Sequence, residues 1–163
     1  MAQTWLPPTG GAQAWPPPPA TGGGSSDAIV ENFDGALSLP AGFTTSGDAN
    51  WFVENTTFRS APNAAESGDI GDGQTSSLFY INNGLTAIEA LSFKLKTETE
   101  TGFDFLQLFH NGVFITQWSG STPWTPYILN CAAGLNTFEW RYAKDGSAST
   151  PTDAVWIDDV VIA

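Results

Sequence analysis

The sequence predicts an all-β protein: an antiparallel jelly-roll sandwich preceded by an extended N-terminal arm rich in proline and glycine. After residue 27, about nine short runs of β-branched and aromatic residues alternate with turns rich in Gly, Asn, Asp and Ser. No stretch of about ten residues shows the 3.6-residue periodicity of an amphipathic helix. Many short strands joined by tight turns are typical of sandwiches and jelly rolls.

The first 26 residues differ from the rest of the chain in composition. They carry no charged side chain and contain most of the prolines. Proline has no backbone N–H and a fixed φ, so this segment can form neither a helix nor a central strand. We expect an extended, polyproline-like arm over 1–26, with a reach of roughly 80 Å at ~3.1 Å per residue, and a jelly-roll domain over 27–163.

Two interpretations of the arm remain open. Composition alone is typical of a disordered linker. However, two tryptophans occur in matching proline-rich settings, and aromatic anchors of this kind dominate many protein interfaces. The second interpretation is therefore an arm that binds neighbouring subunits, and its candidate contact residues are Trp5, Leu6, Pro7, Pro8, Trp15, Pro16 and Pro17.

The domain itself contains nine candidate strands. They span residues 28–33, 51–54, 77–81, 87–97, 103–109, 113–118, 125–130, 136–142 and 154–162. Alternation is clearest where Leu91, Phe93 and Leu95 are separated by polar residues, and again in the run from Phe138 to Tyr142. Asn111-Gly112 separates two of the candidate strands and predicts a tight hairpin.

The closing run, 154–162, places Asp158 and Asp159 among Val, Ile and Trp residues. An ionised carboxylate resists leaving water unless it is paired or bound to a cation. The aspartate pair therefore lies either at a solvated strand end or beside a metal ion.

Charge excludes several classes of partner. The net charge is −12 and only five residues are Lys or Arg, so neither nucleic acid nor an anionic membrane is an expected partner. No apolar run approaches the ~20 residues of a spanning helix, and the N-terminus lacks the basic and apolar regions of a secretion signal. Cys131 is the single cysteine and His110 the single histidine, which argues against an internal disulfide or a zinc site.

An ordered series of motifs resembles the jelly-roll modules related to MAM domains in bacterial extracellular proteins. The resemblance covers residues 28–163. The matching segments are Glu31 to Gly35, Leu39 to Phe43, Ser46 to Asp48, Trp51 to Val53, Gly68 to Leu78, Trp118 to Gly120, Trp124, Phe138 to Asp145 and Trp156 to Val160. The cysteines of animal MAM domains are absent. The resemblance implies a binding or spacing unit used in adhesion or assembly, and no particular reaction.

A structural Ca²⁺ is the candidate ion, although no cofactor is required. First and last strands of a jelly roll commonly lie side by side, which would bring Glu31 and Asp34 near Asp158 and Asp159. Oxygen ligands from separate segments suit Ca²⁺. The resemblance suggests Asp34, Asp158 and Asp69 as contributors, with Asp159 beside them. The alternative is that all of these are solvated carboxylates in an acidic chain.

Catalysis is not expected. Glu89, Glu98, Glu100 and Asp104 offer carboxylates, but nothing in the sequence places any two of them across a cleft. His110 precedes the predicted hairpin turn, where a structural histidine is more common than a general base. We therefore expect the protein not to be an enzyme.

Carbohydrate binding is a second possibility for the domain surface. Jelly rolls bind sugars through aromatic platforms, and the candidates are Trp51, Trp118 and Trp124. Core packing is the alternative role for these three tryptophans, and it is the one we favour. Trp124 lies in a loop-like stretch with two prolines, so it is the best candidate for exposure.

Two functions from different classes fit these observations. The first is a phage virion decoration or cement protein, made in the host cytoplasm, whose arm binds a major capsid or other shell protein and whose copies associate as a homotrimer. The second is a carbohydrate-binding or adhesin module of a bacterial extracellular protein, with a glycan as partner. The arm and the missing secretion signal favour the first.

Overall fold

A computed structural model describes residues 29–85, 89–148, 150 and 152–163, and every regular element among them is a β-strand. In chain order the strands are β1 (Ile29–Glu31), β2 (Phe43–Gly47), β3 (Phe52–Glu54), β4 (Ala64–Glu66), β5 (Thr75–Leu85), β6 (Glu89–Glu98), β7 (Phe105–His110), β8 (Val113–Trp118), β9 (Ser121–Cys131), β10 (Gly134–Ala143) and β11 (Ala154–Ile162). Within these ranges there is no helix of the length and apolarity needed to cross a membrane. The arm, 1–26, lies outside the described residues.

The strands form two antiparallel sheets that pack face to face. The first sheet has the order β3-β4-β11-β6-β9. β1 also belongs to this sheet and pairs with β11 on the same side as β4, but with different residues of β11. The second sheet has the order β2-β5-β10-β7-β8. Apart from β3–β4 and β7–β8, neighbouring strands are not consecutive in the chain, so neither sheet is a simple meander. The predicted all-β antiparallel sandwich is confirmed.

The core lies between the two sheets and consists of their inward side chains. On β6 these are Leu91, Phe93 and Leu95, as the alternation predicted, and on β10 the inward aromatic rings include Trp140. The Phe93 and Trp140 rings meet edge to face, with centroids 5.5 Å apart. Each large side chain buried in this way contributes about 1.5–3 kcal/mol to folding.

The structure contains two strands that the sequence did not predict, β2 and β4. Their sequences, Phe-Thr-Thr-Ser-Gly and Ala-Ala-Glu, show no strong alternation, and pairing with β5 and β11 holds them in place.

β9 is longer than predicted and runs through Pro123 and Pro126. Proline is tolerated there because β9 is an edge strand that pairs only with β6.

β11 closes the first sheet. It is hydrogen-bonded to β6 on one side and to β1 and β4 on the other, with Ile162 opposite Ile29. A bulge interrupts its pairing with β6 between Asp158 and Val161, and Asp159 has a positive φ of 50°. The first described strand and the last strand therefore lie side by side, as expected.

Candidate functional site

Asp34 and Asp158 hold one loop, the connection between β3 and β4, against the rest of the first sheet. Asp34 Oδ1 accepts a hydrogen bond from the Asn63 amide at 3.1 Å. Asp158 is fully buried, and its Oδ2 accepts from the amides of Arg59 at 2.8 Å and Ser60 at 2.9 Å. Burial raises the pKa of Asp158, and these amide hydrogen bonds oppose that rise.

The structure does not gather the four carboxylates predicted to bind calcium. Asp159 accepts a hydrogen bond from the Ser60 hydroxyl at 2.7 Å. Asp69 is exposed and lines a separate cleft of about 430 Å³ together with Phe52. Among the described residues, no three of Asp34, Asp69, Asp158 and Asp159 converge. Because main-chain amides and a serine already satisfy three of these side chains, calcium at this place stays a prediction without a convergent ligand set.

The three candidate tryptophans differ in position. Trp51 is 2% exposed and its indole N–H donates to the Ser76 carbonyl at 3.0 Å, so it is a core residue and not a surface platform. Trp118 is half-buried, and its ring meets Phe93 and Tyr127 edge to face at the border of the core. Trp124 is half-buried on the edge strand β9.

His110 has a structural environment. Its Nε2 lies 2.7 Å from Asn136 Oδ1, and its ring stacks on Phe138 with centroids 5.1 Å apart. Of the four acidic residues considered for catalysis, Glu98 is paired with Lys96 at 2.9 Å. These contacts fix the side chains, and the absence of enzymatic activity stays a prediction.

A surface that the sequence analysis missed is the outer face of the second sheet, which we define as the side chains of β2, β5, β10, β7 and β8 that point away from the core. The strand register aligns these side chains in two adjacent rows. The phenylalanine row consists of Thr44, Phe79, Glu139, Phe109 and Phe114. The polar row consists of Ser46, Ser77, Arg141, Gln107 and Gln117. With strands about 4.8 Å apart, each row extends about 19 Å across the sheet.

The phenylalanine row presents apolar surface to solvent. Phe114 is 49% exposed, and its ring meets that of Phe109 at a centroid distance of 5.7 Å and an angle of 72°. Ile81, the next outward residue on β5, is 48% exposed. Contiguous exposed apolar groups mark binding surfaces more often than they serve stability.

Hydrogen bonds hold the charged groups of the outer face in fixed positions. Glu139 Oε1 accepts from Ser77 Oγ and from Arg141 Nε, both at 2.8 Å. The Arg141 guanidinium carbon lies 4.3 Å from the centre of the Phe109 ring, which joins the two rows. Within the described part of the chain, no hydrogen bond occupies the two terminal nitrogens of Arg141, whose side chain is 35% exposed.

The polar row ends in a pair of amides. Gln107 Nε2 donates to Gln117 Oε1 at 3.2 Å across β7 and β8. Each amide keeps further donor and acceptor capacity, because a glutamine side chain offers two N–H donors and two oxygen lone pairs. The outer face thus combines apolar rings with planar, orientable hydrogen-bonding groups.

A signal for this face was present in the sequence. Phe105, Gln107 and Phe109 alternate with the buried Leu106 and Leu108, so β7 carries apolar residues on both faces. A strand with one solvated face normally alternates apolar with polar residues. Apolar residues on both faces therefore predict that the outward side is also used in contact.

Comparison with known proteins identifies the fold and no family. No protein-family profile matches the chain, and no curated protein sequence matches it. The virion interpretation and the resemblance to MAM domains therefore have no sequence-family support.

Solved structures share the sandwich at low sequence identity. The K1 cleaved adhesin domain of Lys-gingipain from Porphyromonas gingivalis W83 superposes with a TM-score of 0.62 at 13% identity, covering 83% of this chain and 97% of that one. The module TmCBM61, solved with β-1,4-galactotriose, gives 0.55 at 13% identity over 76% of this chain and 88% of that one.

A third similar structure is the CBM22-1 xylan-binding domain of Paenibacillus barcinonensis Xyn10C. Its TM-score is 0.52 at 13% identity, covering 82% of this chain and 91% of that one. At these identities the similarity concerns the fold alone. The described chain thus has the β-sandwich fold found in adhesin and carbohydrate-binding modules.

Proposed function

We propose that this domain is a non-catalytic carbohydrate-binding module of a bacterial extracellular protein, and that a glycan chain binds across the outer face of the second sheet. The observation that carries the proposal is the pairing of the two rows: the exposed ring of Phe114 and the half-buried rings of Phe79 and Phe109 lie directly beside a line of hydroxyl, amide and guanidinium groups. A pyranose ring has an apolar C–H face and a rim of hydroxyls. Each part of the sugar therefore meets a matching part of the outer face.

The polar row distinguishes a glycan from a purely apolar partner. Arg141, Gln107 and Gln117 present planar hydrogen-bonding groups that a purely apolar partner would leave unsatisfied. Sugar hydroxyls can accept from the guanidinium and can donate to or accept from the amides. Fixed polar groups at the edge of an apolar surface are the usual source of orientation and specificity in ligand sites. The contact between Arg141 and Glu139 pre-orders the guanidinium before a ligand arrives.

Charge narrows the class of glycan. With a net charge of −12, the protein repels sulfated or uronic-acid-rich chains. A neutral polysaccharide is the expected ligand. The neighbours solved with a galactan fragment or described as xylan-binding support this choice of first probes.

Affinity electrophoresis and calorimetry with soluble xylan and β-1,4-galactan test the proposal on the full chain. Phe114→Ala is expected to weaken binding about tenfold, or about 1.4 kcal/mol, because it removes a ring from the binding surface. The matched control is Phe52→Ala, which removes a ring of similar exposure, 44%, that lines the separate cleft. Equal losses in the two variants, or a loss only in Phe52→Ala, would place the ligand elsewhere.

The virion interpretation depends on residues that the structure does not describe. The arm, the shell-protein partner and the homotrimer remain predictions from the sequence, and no contact among the described residues favours them. We therefore do not extend the proposal to a capsid role.

A further inference from the structure

A second acidic group, made of residues other than the four carboxylates predicted to bind calcium, lies at one end of the second sheet. One carboxylate oxygen from each of Glu100, Asp104 and Asp145 lies within 4.8 Å of those of the other two. Glu100 and Asp104 belong to the turn between β6 and β7, in which the Asp104 amide donates to the Glu100 carbonyl at 3.1 Å. Asp145 follows β10, and its amide donates to Asp104 Oδ1 at 2.9 Å.

Two oxygens of this group are buried without a hydrogen-bond donor. Asp104 is 0% exposed, and its Oδ2 accepts no hydrogen bond; Glu100 Oε2 is likewise enclosed and accepts none. A buried carboxylate oxygen left in this condition is costly, because it has lost its water without gaining a partner. Native proteins rarely leave such atoms unsatisfied unless an ion or another ligand meets them.

The nearby lysine does not balance the negative charge. Lys144 Nζ donates to Asp153 and lies 3.8 Å from Asp104 Oδ2 and 3.9 Å from Asp72, so those two contacts are longer than hydrogen bonds. One ammonium group thus faces the carboxylates of Asp72, Glu100, Asp104, Asp145 and Asp153.

We propose that Glu100, Asp104 and Asp145 bind a Ca²⁺ ion. Three carboxylates form a hard, anionic ligand set of the kind that Ca²⁺ takes, and water or carbonyl oxygens complete its six to eight ligands. Opposite oxygens of a Ca²⁺ shell are about 4.6–5.2 Å apart, so oxygens up to 4.8 Å apart fit around it. In a Mg²⁺ shell the corresponding limit is about 4.2 Å, and that ion prefers to keep several waters.

The ion would join three connections that meet at this end of the sheet. The Gly73 amide already donates to the Asp145 carbonyl, and the Lys144 amide donates to the Gln74 carbonyl. β5 begins, β7 begins and β10 ends here, with Thr75, Phe105 and Ala143 aligned across them. The polar row lies two residues further along each of these strands, so Ca²⁺ at this point fixes the end of the sheet next to that row.

The experiment titrates Ca²⁺ into the full chain after removal of metal with EDTA, by calorimetry and by thermal unfolding, with Mg²⁺ as the comparison ion. The wild type is expected to bind one Ca²⁺ and to gain a melting temperature that rises with Ca²⁺ concentration. Glu100→Gln, on the half-buried turn, is expected to weaken Ca²⁺ at least tenfold. Asp34→Asn, at the other acidic place, is expected to leave Ca²⁺ affinity within twofold of the wild type.

Three results would overturn the assignment. One is a wild type that gives no heat and no shift in melting temperature with Ca²⁺. Another is Ca²⁺ binding lost in Asp34→Asn and kept in Glu100→Gln. The third is Mg²⁺ acting as strongly as Ca²⁺. Asp104→Asn serves as a second variant, and loss of Ca²⁺ binding there with an unchanged circular dichroism spectrum supports the site. The test is independent of glycan binding, because neither readout contains a sugar.

Discussion

Asp158 shows how a single residue can be recognised in a sequence while its partner cannot. A carboxylate inside an apolar run must be satisfied, and the sequence predicted that much. The donors are the amides of Arg59 and Ser60, 99 and 98 positions away along the chain. No local pattern indicates which loop folds over a strand at such a separation. A cation was expected at Asp158 because the sequence did not show that these amides would satisfy the carboxylate.

Removing the Asp158 carboxylate should therefore destabilise the fold strongly. In Asp158→Ala, the amides of Arg59, Ser60 and Asp159 lose their acceptor, and we expect the free energy of unfolding to fall by about 2–4 kcal/mol. Asp159→Asn, which keeps an oxygen acceptor for the Ser60 hydroxyl and a residue type tolerated at the positive φ of 50°, should lose about 1 kcal/mol or less. Urea unfolding followed by tryptophan fluorescence measures both. Similar losses in the two variants would contradict the role given to Asp158.

Glu66 makes a pH-dependent prediction. Burial raises its pKa above the usual 4.5, against the opposing hydrogen bond from Trp156 Nε1 at 2.9 Å. A raised pKa in the folded state means that folding favours the protonated form, so this group's contribution to stability declines as pH rises from about 4.5 through the raised value. Glu66→Gln keeps an oxygen acceptor and does not titrate.

We therefore expect the stability of Glu66→Gln, relative to the wild type, to increase between pH 4 and pH 7, within the range given by the raised pKa. Urea unfolding at a series of pH values gives this difference. A relative stability that stays constant or decreases with pH would show that folding does not raise the pKa of Glu66.

At the scale of elements, the turn of the β7–β8 hairpin was predictable, whereas the bulge beside Phe109 was not. Asn111 and Gly112 have φ values of 50° and 76°, the positive pair that a type I′ turn requires. β2 and β4 were not predictable, because strands of five and three residues without alternation depend on their neighbours for pairing. The outer face of the second sheet was missed for a similar reason: which phenylalanines form one row depends on register between strands distant in sequence.

Gly112 tests the turn itself. A Cβ at Gly112 would meet no atom within 4 Å, so the cost of Gly112→Ala is conformational alone, and we expect about 1 kcal/mol of destabilisation from the positive φ. Gly35→Ala is the matched control, because that glycine also has open space around it and no positive φ. Thermal unfolding compares the two. A Gly112→Ala variant as stable as Gly35→Ala would argue against the type I′ turn.

For the whole molecule, the described sandwich has a closed core of its own. β1 and β11 join the beginning and the end of the described chain, and the buried side chains of both sheets pack against each other. Deletion of residues 1–26 is therefore expected to leave the cooperative unfolding transition within about 0.5 kcal/mol of the full chain. An aggregated or non-cooperative product would show that the arm belongs to the folding unit.

The overall architecture was accessible from the sequence because strand alternation and turn residues are local signals. The binding surface was not accessible, because it is a property of the assembled sheet. Trp51, a candidate sugar platform for which core packing was the favoured role, is part of the core. The sequence did not assign Phe79, Phe109 and Phe114 to either face, and the structure aligns them in one row in which Phe114 is exposed and the other two are half-buried. Where a sheet carries apolar residues on both faces, residue type alone does not indicate which face packs against the core.

An NMR titration of the full, ¹⁵N-labelled chain with a neutral xylo- or galacto-oligosaccharide tests the central claim most directly. Binding at the outer face predicts that the largest amide shifts, and side-chain shifts of Arg141, Gln107 and Gln117, cluster on β5, β10, β7 and β8. Shifts clustered instead around Phe52 and Asp69 at the separate cleft, or no shifts with either sugar, would contradict the account.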